Sequence, residues 1–273
     1  MSKRLLWIGM ILLASGCVKQ VDWPVKKFSG NLLVVDGILT NEVKQQSVIL
    51  TLPVSQLNEN PGAATGATVV VSNEDSTYQL TEQPANSGIY VTSKTFTAYP
   101  DKNYNLLIYY QGQTFTAKAR MEPGAYFQQL SYKKNEGNDL YHVDYVASAF
   151  TTGEPAMWEL LLDWSSVPGY DTLDPSQTRA RMLFYTLRTL DVSEIFAPAV
   201  EQVSFPAGTI IEERRYSLTA AHAEYIRTLL LETTWQGGLF SSSSSNVATN
   251  LSAGATGFFG VCAVTSLSIT VTP

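Results

Sequence analysis

Between Asn31 and Arg120, short apolar runs alternate with turn residues at intervals of roughly 8 to 12 positions, the rhythm of an all-β fold. The runs are Asn31–Thr40 (NLLVVDGILT), Ser47–Leu52 (SVILTL), Ala67–Ser72 (ATVVVS), Thr77–Leu80, Gly88–Ser93 (GIYVTS), Asn103–Tyr110 (NYNLLIYY) and Thr114–Arg120 (TFTAKAR). Thr40-Asn41-Glu42, Asn73-Glu74-Asp75, Asn86-Ser87-Gly88 and Gln111-Gly112-Gln113 separate them, and these residue types favour turns. In the last run Phe115, Ala117 and Ala119 alternate with Thr114, Thr116, Lys118 and Arg120, which suits an antiparallel strand with one face in a core and one in water. Residues 31–122 are therefore expected to form an immunoglobulin-like or transthyretin-like β-sandwich. The boundary is expected at Met121–Gly124, where proline and glycine follow the last strand.

Residues 125–273 are expected to form a second β-rich domain with one packed α-helix. Ala125–Tyr132, Tyr141–Phe150, Ala156–Trp164, Arg181–Leu190 and Glu201–Phe205 read as strands, Ser165–Arg179 as a long surface loop, and Ser193–Ala199 as an irregular link. The helix is predicted near 220–236. Thr219 can cap it, Tyr225, Ile226, Leu229 and Leu230 form one apolar stripe, and Gly237-Gly238 ends it. Ser241–Ser245, five serines, cannot bury apolar surface. A last strand follows, with Leu267, Ile269 and Val271 alternating with serine and threonine.

A leader precedes all of this. Lys3 and Arg4 are followed by apolar Leu5–Leu13 and then by Ala14, Ser15, Gly16 and Cys17, the build of an export signal. The apolar run is well short of the roughly 20 residues that span a bilayer, so residues 1–16 are expected to be removed. Small residues ending on a cysteine look like a bacterial lipobox, with Ala14 where leucine is usual and Leu13 one place further back. Cys17 would then be the lipid-attachment residue, and residues 17–30 a tether between lipid and first domain.

Taking residues 1–16 from the 273 leaves 257, enough for one large β domain or two ordinary ones. Lys3 and Arg4 leave with the signal, so the 18 basic residues fall to 16 against 24 acidic ones, a net charge of -8. This argues against nucleic acid as a partner, because phosphate binding rests on clustered Lys and Arg. With Cys17 acylated, Cys262 is the one remaining thiol, and Val261 and Ala263 beside it suggest a small buried hydrophobe. Two histidines and one free cysteine offer little for metal chemistry, so no metal or cofactor is expected.

Catalytic motifs are missing: there is no Gly-x-Ser-x-Gly and no His-Glu-x-x-His. His142 and His222 read as structural. Gly254, Gly257 and Gly260 read as a tight turn before the final strand rather than a phosphate loop, since neither a helix nor a lysine follows. Asp171, Asp174 and Asn73-Glu74-Asp75 lack calcium-loop spacing and read as turn chemistry. Tyr109, Tyr110, Trp158, Trp164, Trp235, Phe258 and Phe259 include candidates for a stacking platform, although most are expected in cores or on strand faces.

Several motifs occur in a particular order. They are the lipobox, the early strand Leu32–Asn41, the strand start Gly66-Ala67-Thr68-Val69, and the late helix followed by Asn246–Leu251 and Gly257-Phe258-Phe259-Gly260. In this the chain resembles the Bacteroidota lipoprotein family catalogued as domain of unknown function 4249. The resemblance implies an outer-membrane lipoprotein, often encoded near TonB-dependent transporters, and implies no catalytic residues. The expected function is that of a noncatalytic accessory or binding component, held to the membrane by its lipid and working beside a TonB-dependent transporter or other envelope protein. The candidate partner surface is Phe258, Phe259, Asn246 and Asn250, in the most loop-rich sequence. The alternative is direct capture of a glycan, peptide or metal chelate, which an exposed aromatic cleft would favour.

Overall fold

The computed structural model describes residues 32–54, 59–197, 202–237 and 247–273. The signal, Cys17, the tether, the serine run and Asn246 lie outside the described residues. The fold is mainly β. The first seven strands are β1 (Leu33–Thr40), β2 (Ser47–Thr51), β3 (Thr68–Ser72), β4 (Thr77–Glu82), β5 (Ile89–Thr92), β6 (Asn103–Tyr110) and β7 (Gln113–Arg120). There follow β8 (Ser131–Lys134), β9 (Leu140–Tyr145), β10 (Ala156–Asp163), α1 (Pro175–Thr178), β11 (Arg179–Thr186) and α2 (Val192–Ile195). The chain ends with β12 (Phe205–Pro206), β13 (Ile210–Ser217), α3 (Ala220–Glu232), β14 (Ala255–Cys262) and β15 (Val264–Thr270).

The seven strands expected in the first half all form, and they join an eighth. The sheet order is β14-β1-β2-β5-β4-β3-β6-β7, with β14 running parallel to β1 from Leu33↔Ala255 to Thr40↔Cys262. Alternation drives its curl. Tyr104, Leu106, Ile108 and Tyr110 of β6 are buried while Asn103, Asn105, Leu107 and Tyr109 face water, and every strand sends its buried set into one core. The sheet is nearly closed. Residues 250–252 lie between its two ends, with an Ala117↔Leu251 bridge and a 2.9 Å bond from Ser252 N–H to the Thr116 carbonyl.

This revises the domain division. The chain leaves the first sheet near Met121–Gly124, but residues 250–262 return to it, and residues 31–273 form one compact unit. A boundary drawn along the sequence is therefore not a boundary in space, because β1 lacks a neighbour on one side until β14 supplies it.

The remainder packs a four-stranded sheet (β11-β10-β13-β15) on a three-stranded one (β12-β9-β8), with Trp158, Leu160, Leu162, Trp164 and Ile211 buried between them. Strand β13 has no counterpart in the sequence reading, although it is a central strand. Its core Glu212-Glu213-Arg214-Arg215 hides the alternation behind four successive charges. Two of them are nonetheless buried: Glu213 accepts a 3.0 Å bond from the Leu130 N–H, and Arg215 lies over the Trp158 ring at 5.7 Å. The expected strand at 141–150 stops at Tyr145, the one at 181–190 occupies 179–186, and the predicted loop and link each contain a one-turn helix.

Helix α3 starts as expected, with the Thr219 hydroxyl accepting from the His222 N–H at 3.2 Å. It ends at Glu232, short of the glycines. Its buried face is His222, Ala223, Ile226 and Leu230, whereas Leu229 is exposed. That face covers the outer side of β14 and the outer side of the four-stranded sheet at Met157 and Tyr216, so the helix packs on both sheets at once.

Candidate functional site

Of the expected partner surface, Phe258 and Phe259 are buried and Asn250 is bonded within the fold, which corrects that expectation. Strand β14 is covered on both faces, so its successive side chains enter two different cores. Phe259 is fully buried inside the first sheet. Phe258 stacks on His222 (centroids 4.6 Å apart, planes at 20°) and on Tyr225 (5.0 Å) beneath α3. Gly257 and Gly260 lie within the strand, not in a turn. A Cβ on Gly257 would stand 2.0 Å from the Val35 carbonyl oxygen, and one on Gly260 2.7 Å from the His222 ring. These glycines permit close strand pairing and leave room for the imidazole, so the signal that looked like a loop marks a crowded strand.

Asn250 is the clamp that closes the first sheet. Its Oδ1 accepts from the Phe259 N–H at 3.0 Å, and its Nδ2 donates to the carbonyls of Phe259 (2.7 Å) and Lys118 (3.1 Å). A side-chain amide thus replaces the peptide that a further strand would have supplied between β14 and β7.

His222 and Cys262 lie 3.6 Å apart, Nδ1 to Sγ, a pairing that nucleophilic enzymes use. Here it is sealed. Burial pushes the thiol up to about 12 and the imidazole down to about 4, so both groups are held neutral, and Cys262 has no exposed surface. Cys262 is the buried hydrophobe expected from its neighbours. The aspartates do turn chemistry: Asn73 Oδ1 accepts from the backbone of Asp75 and Ser76, and Asp174 caps α1.

An ionic chain ties the two halves together. Lys44 meets Glu42 at 2.7 Å, Glu42 meets Arg214 at 2.6 Å, Arg214 meets Glu159 at 3.4 Å, and Glu159 meets the Arg181 Nε at 2.6 Å. The Tyr216 hydroxyl also donates to Glu159 at 2.6 Å. Burial works against the Glu159 charge, but Tyr216 and the two guanidinium groups outweigh it and hold its carboxyl below the ordinary range. Arg181 spends only its Nε on this chain, and its side chain is 60% exposed.

The exposed end of Arg181 enters a cleft of about 770 Å³ along the edge of β11. Five consecutive residues, Arg181 to Tyr185, line it, so the cleft takes in both faces of the sheet at its rim. Ala147 and Ala149 form one wall, and Leu230, Thr234 and Trp235 near the end of α3 form the other. At the rim's end Leu187 exchanges two 2.8 Å backbone bonds with Ala149 and Thr151. Toward Tyr185 no further backbone bond joins the two segments among the described residues, and Ala147 and Ala149 line the cleft there. By strand alternation, Tyr185, Leu183 and Arg181 direct their N–H and C=O groups to the same side as Leu187, and no described residue bonds them there. Glu194 also lines the cleft, and its Oε2 has no hydrogen-bond partner among the described residues. Burial, and after it the Asp191 carboxylate, push the Glu194 carboxyl above the ordinary range.

The family model described as domain of unknown function (DUF4249) matches residues 18–268. The chain belongs to this family. No curated protein matches it. In this DUF4249 chain the cleft draws on β9, β11 and α3 and on the short segments around 147, 194 and 203. Sequence reasoning named Trp235 as an aromatic candidate but neither Arg181 nor Glu194, because each becomes notable only when the strand edge and its walls come together. Trp158 and Trp164 are core residues, and Tyr109 is exposed on the outer face of β6.

Proposed function

We propose that this DUF4249 protein is a noncatalytic, lipid-anchored lipoprotein of the outer membrane that captures a ligand in the β11 cleft. The observation that carries the reading is the cleft itself. Its volume falls in the usual range for ligand pockets of roughly 300–1,000 Å³, and its lining is mostly apolar with a few polar groups, Arg181 and Glu194 among them. The noncatalytic part of the reading is supported by the sealed His222–Cys262 pair. Anchoring rests on Cys17, and among the described residues no helix is long and apolar enough to cross a membrane. A second reading, an accessory beside a TonB-dependent transporter, is favoured by Leu107 and Tyr109, apolar side chains 45% and 54% exposed on one sheet face. The two are separated by solubilising outer membranes in detergent and capturing the protein. A small ligand protecting β11 amides from hydrogen exchange supports capture. A stable transporter complex that buries β6 and leaves β11 exchanging freely supports the accessory role and overturns capture.

A further inference from the structure

We infer that the ligand class is an extended peptide, which adds as a strand to the edge of β11 at Arg181, Leu183 and Tyr185. This rests on the capture reading above and names its substrate. Three features of the cleft converge on a peptide. First, the strand edge presents backbone donors and acceptors at every second residue with no described partner, a ladder that an extended peptide completes and that a glycan or a chelate does not. Second, because both faces of the sheet rim are lined, alternate side chains of an added strand would meet different walls. One set would face Ala147, Ala149, Met182 and Phe184, and the other Leu183, Tyr185, Leu230 and Trp235. Third, the cleft holds one guanidinium whose terminal nitrogens make no hydrogen bond to a described residue. A peptide supplies its complement, a carboxylate for the exposed end of Arg181. The 147–151 segment already pairs with Leu187 on this edge, so the added strand would continue an existing ladder rather than start one.

The test uses the full chain and a synthetic library of random nonapeptides, with retained peptides read by mass spectrometry. The expected result is retention of peptides with alternating apolar positions and an acidic group. Methylating the backbone nitrogens at every second residue of a retained peptide should weaken binding at least tenfold in one register and little in the other. Arg181→Gln should weaken the acidic peptide but not its amidated analogue. Leu183→Pro, which removes an outward N–H at a sheet edge where proline is tolerated, should abolish retention with the thermal midpoint unchanged. If that variant does not fold, the methylation pair alone decides. Retention insensitive to methylation in both registers overturns strand addition. No peptide retained, but β11 amides protected by a neutral oligosaccharide mixture or an iron chelate, overturns the peptide class and leaves capture standing. No protection by any of these probes overturns both.

Discussion

Gly257 has φ +92° and lies against the Val35 carbonyl in the parallel β1–β14 pair. An alanine there would have to push the strands apart in a left-handed conformation that L residues avoid, so Gly257→Ala should cost about 3 kcal/mol or more in denaturant unfolding. His222 sets a pH limit. Its folded pKa of about 4 is below the ordinary 6.5, so the unfolded chain binds the proton more readily between those values. Its contribution to stability is complete above about pH 6.5 and is lost as pH falls toward about 4, on the order of 3 kcal/mol in all. His222→Gln should flatten the stability profile across that window, as followed by thermal melts from pH 4 to 7. Phe259 was expected at a partner surface. Since it is fully buried, Phe259→Ala should instead cost about 3–5 kcal/mol and show in chemical denaturation.

At the scale of elements, what joins matters more than what forms. The 250–252 segment closes the first sheet without being a strand, and it does so through the amide of Asn250. Asn250→Ala strips partners from both backbone groups of Phe259 and from the Lys118 carbonyl. It should cost about 2–3 kcal/mol and speed hydrogen exchange at Phe259 before it affects β10 or β13. Asn250→Asp keeps the acceptor but turns a carboxylate oxygen onto the carbonyls of Phe259 and Lys118, so its cost should equal or exceed that of alanine. Strands β1 to β7 were legible because their alternation and turn residues agree with each other. Strand β13 was not, since its inward positions Glu213 and Arg215 are charged and break the apolar alternation.

For the whole molecule, the return of β14 makes the chain one cooperative unit. A fragment of residues 31–122 would expose the Leu33 and Val35 side of β1 where Phe259 and Val261 pack, so it should not show a cooperative melt, whereas residues 31–273 should melt in one transition. The sequence by itself determined the mainly β class, the seven strands of the first half, the two faces of β7, the capped start of α3 and the burial of Cys262. Each of these depends on neighbours a few residues apart, whose spacing and side-chain type already carry the physics. Only the tertiary structure decided that Phe258 and Phe259 point into two cores, that Asn250 is a clamp, and that Arg181 and Glu194 share a cleft beside an open strand edge. These depend on separate segments meeting at one place, many of them far apart in sequence, as in the 223-residue separation of Asn41 from the Val264 backbone it bonds. No local pattern records such meetings, because the free energy that selects them comes from burying surfaces which the chain brings together only when it is folded.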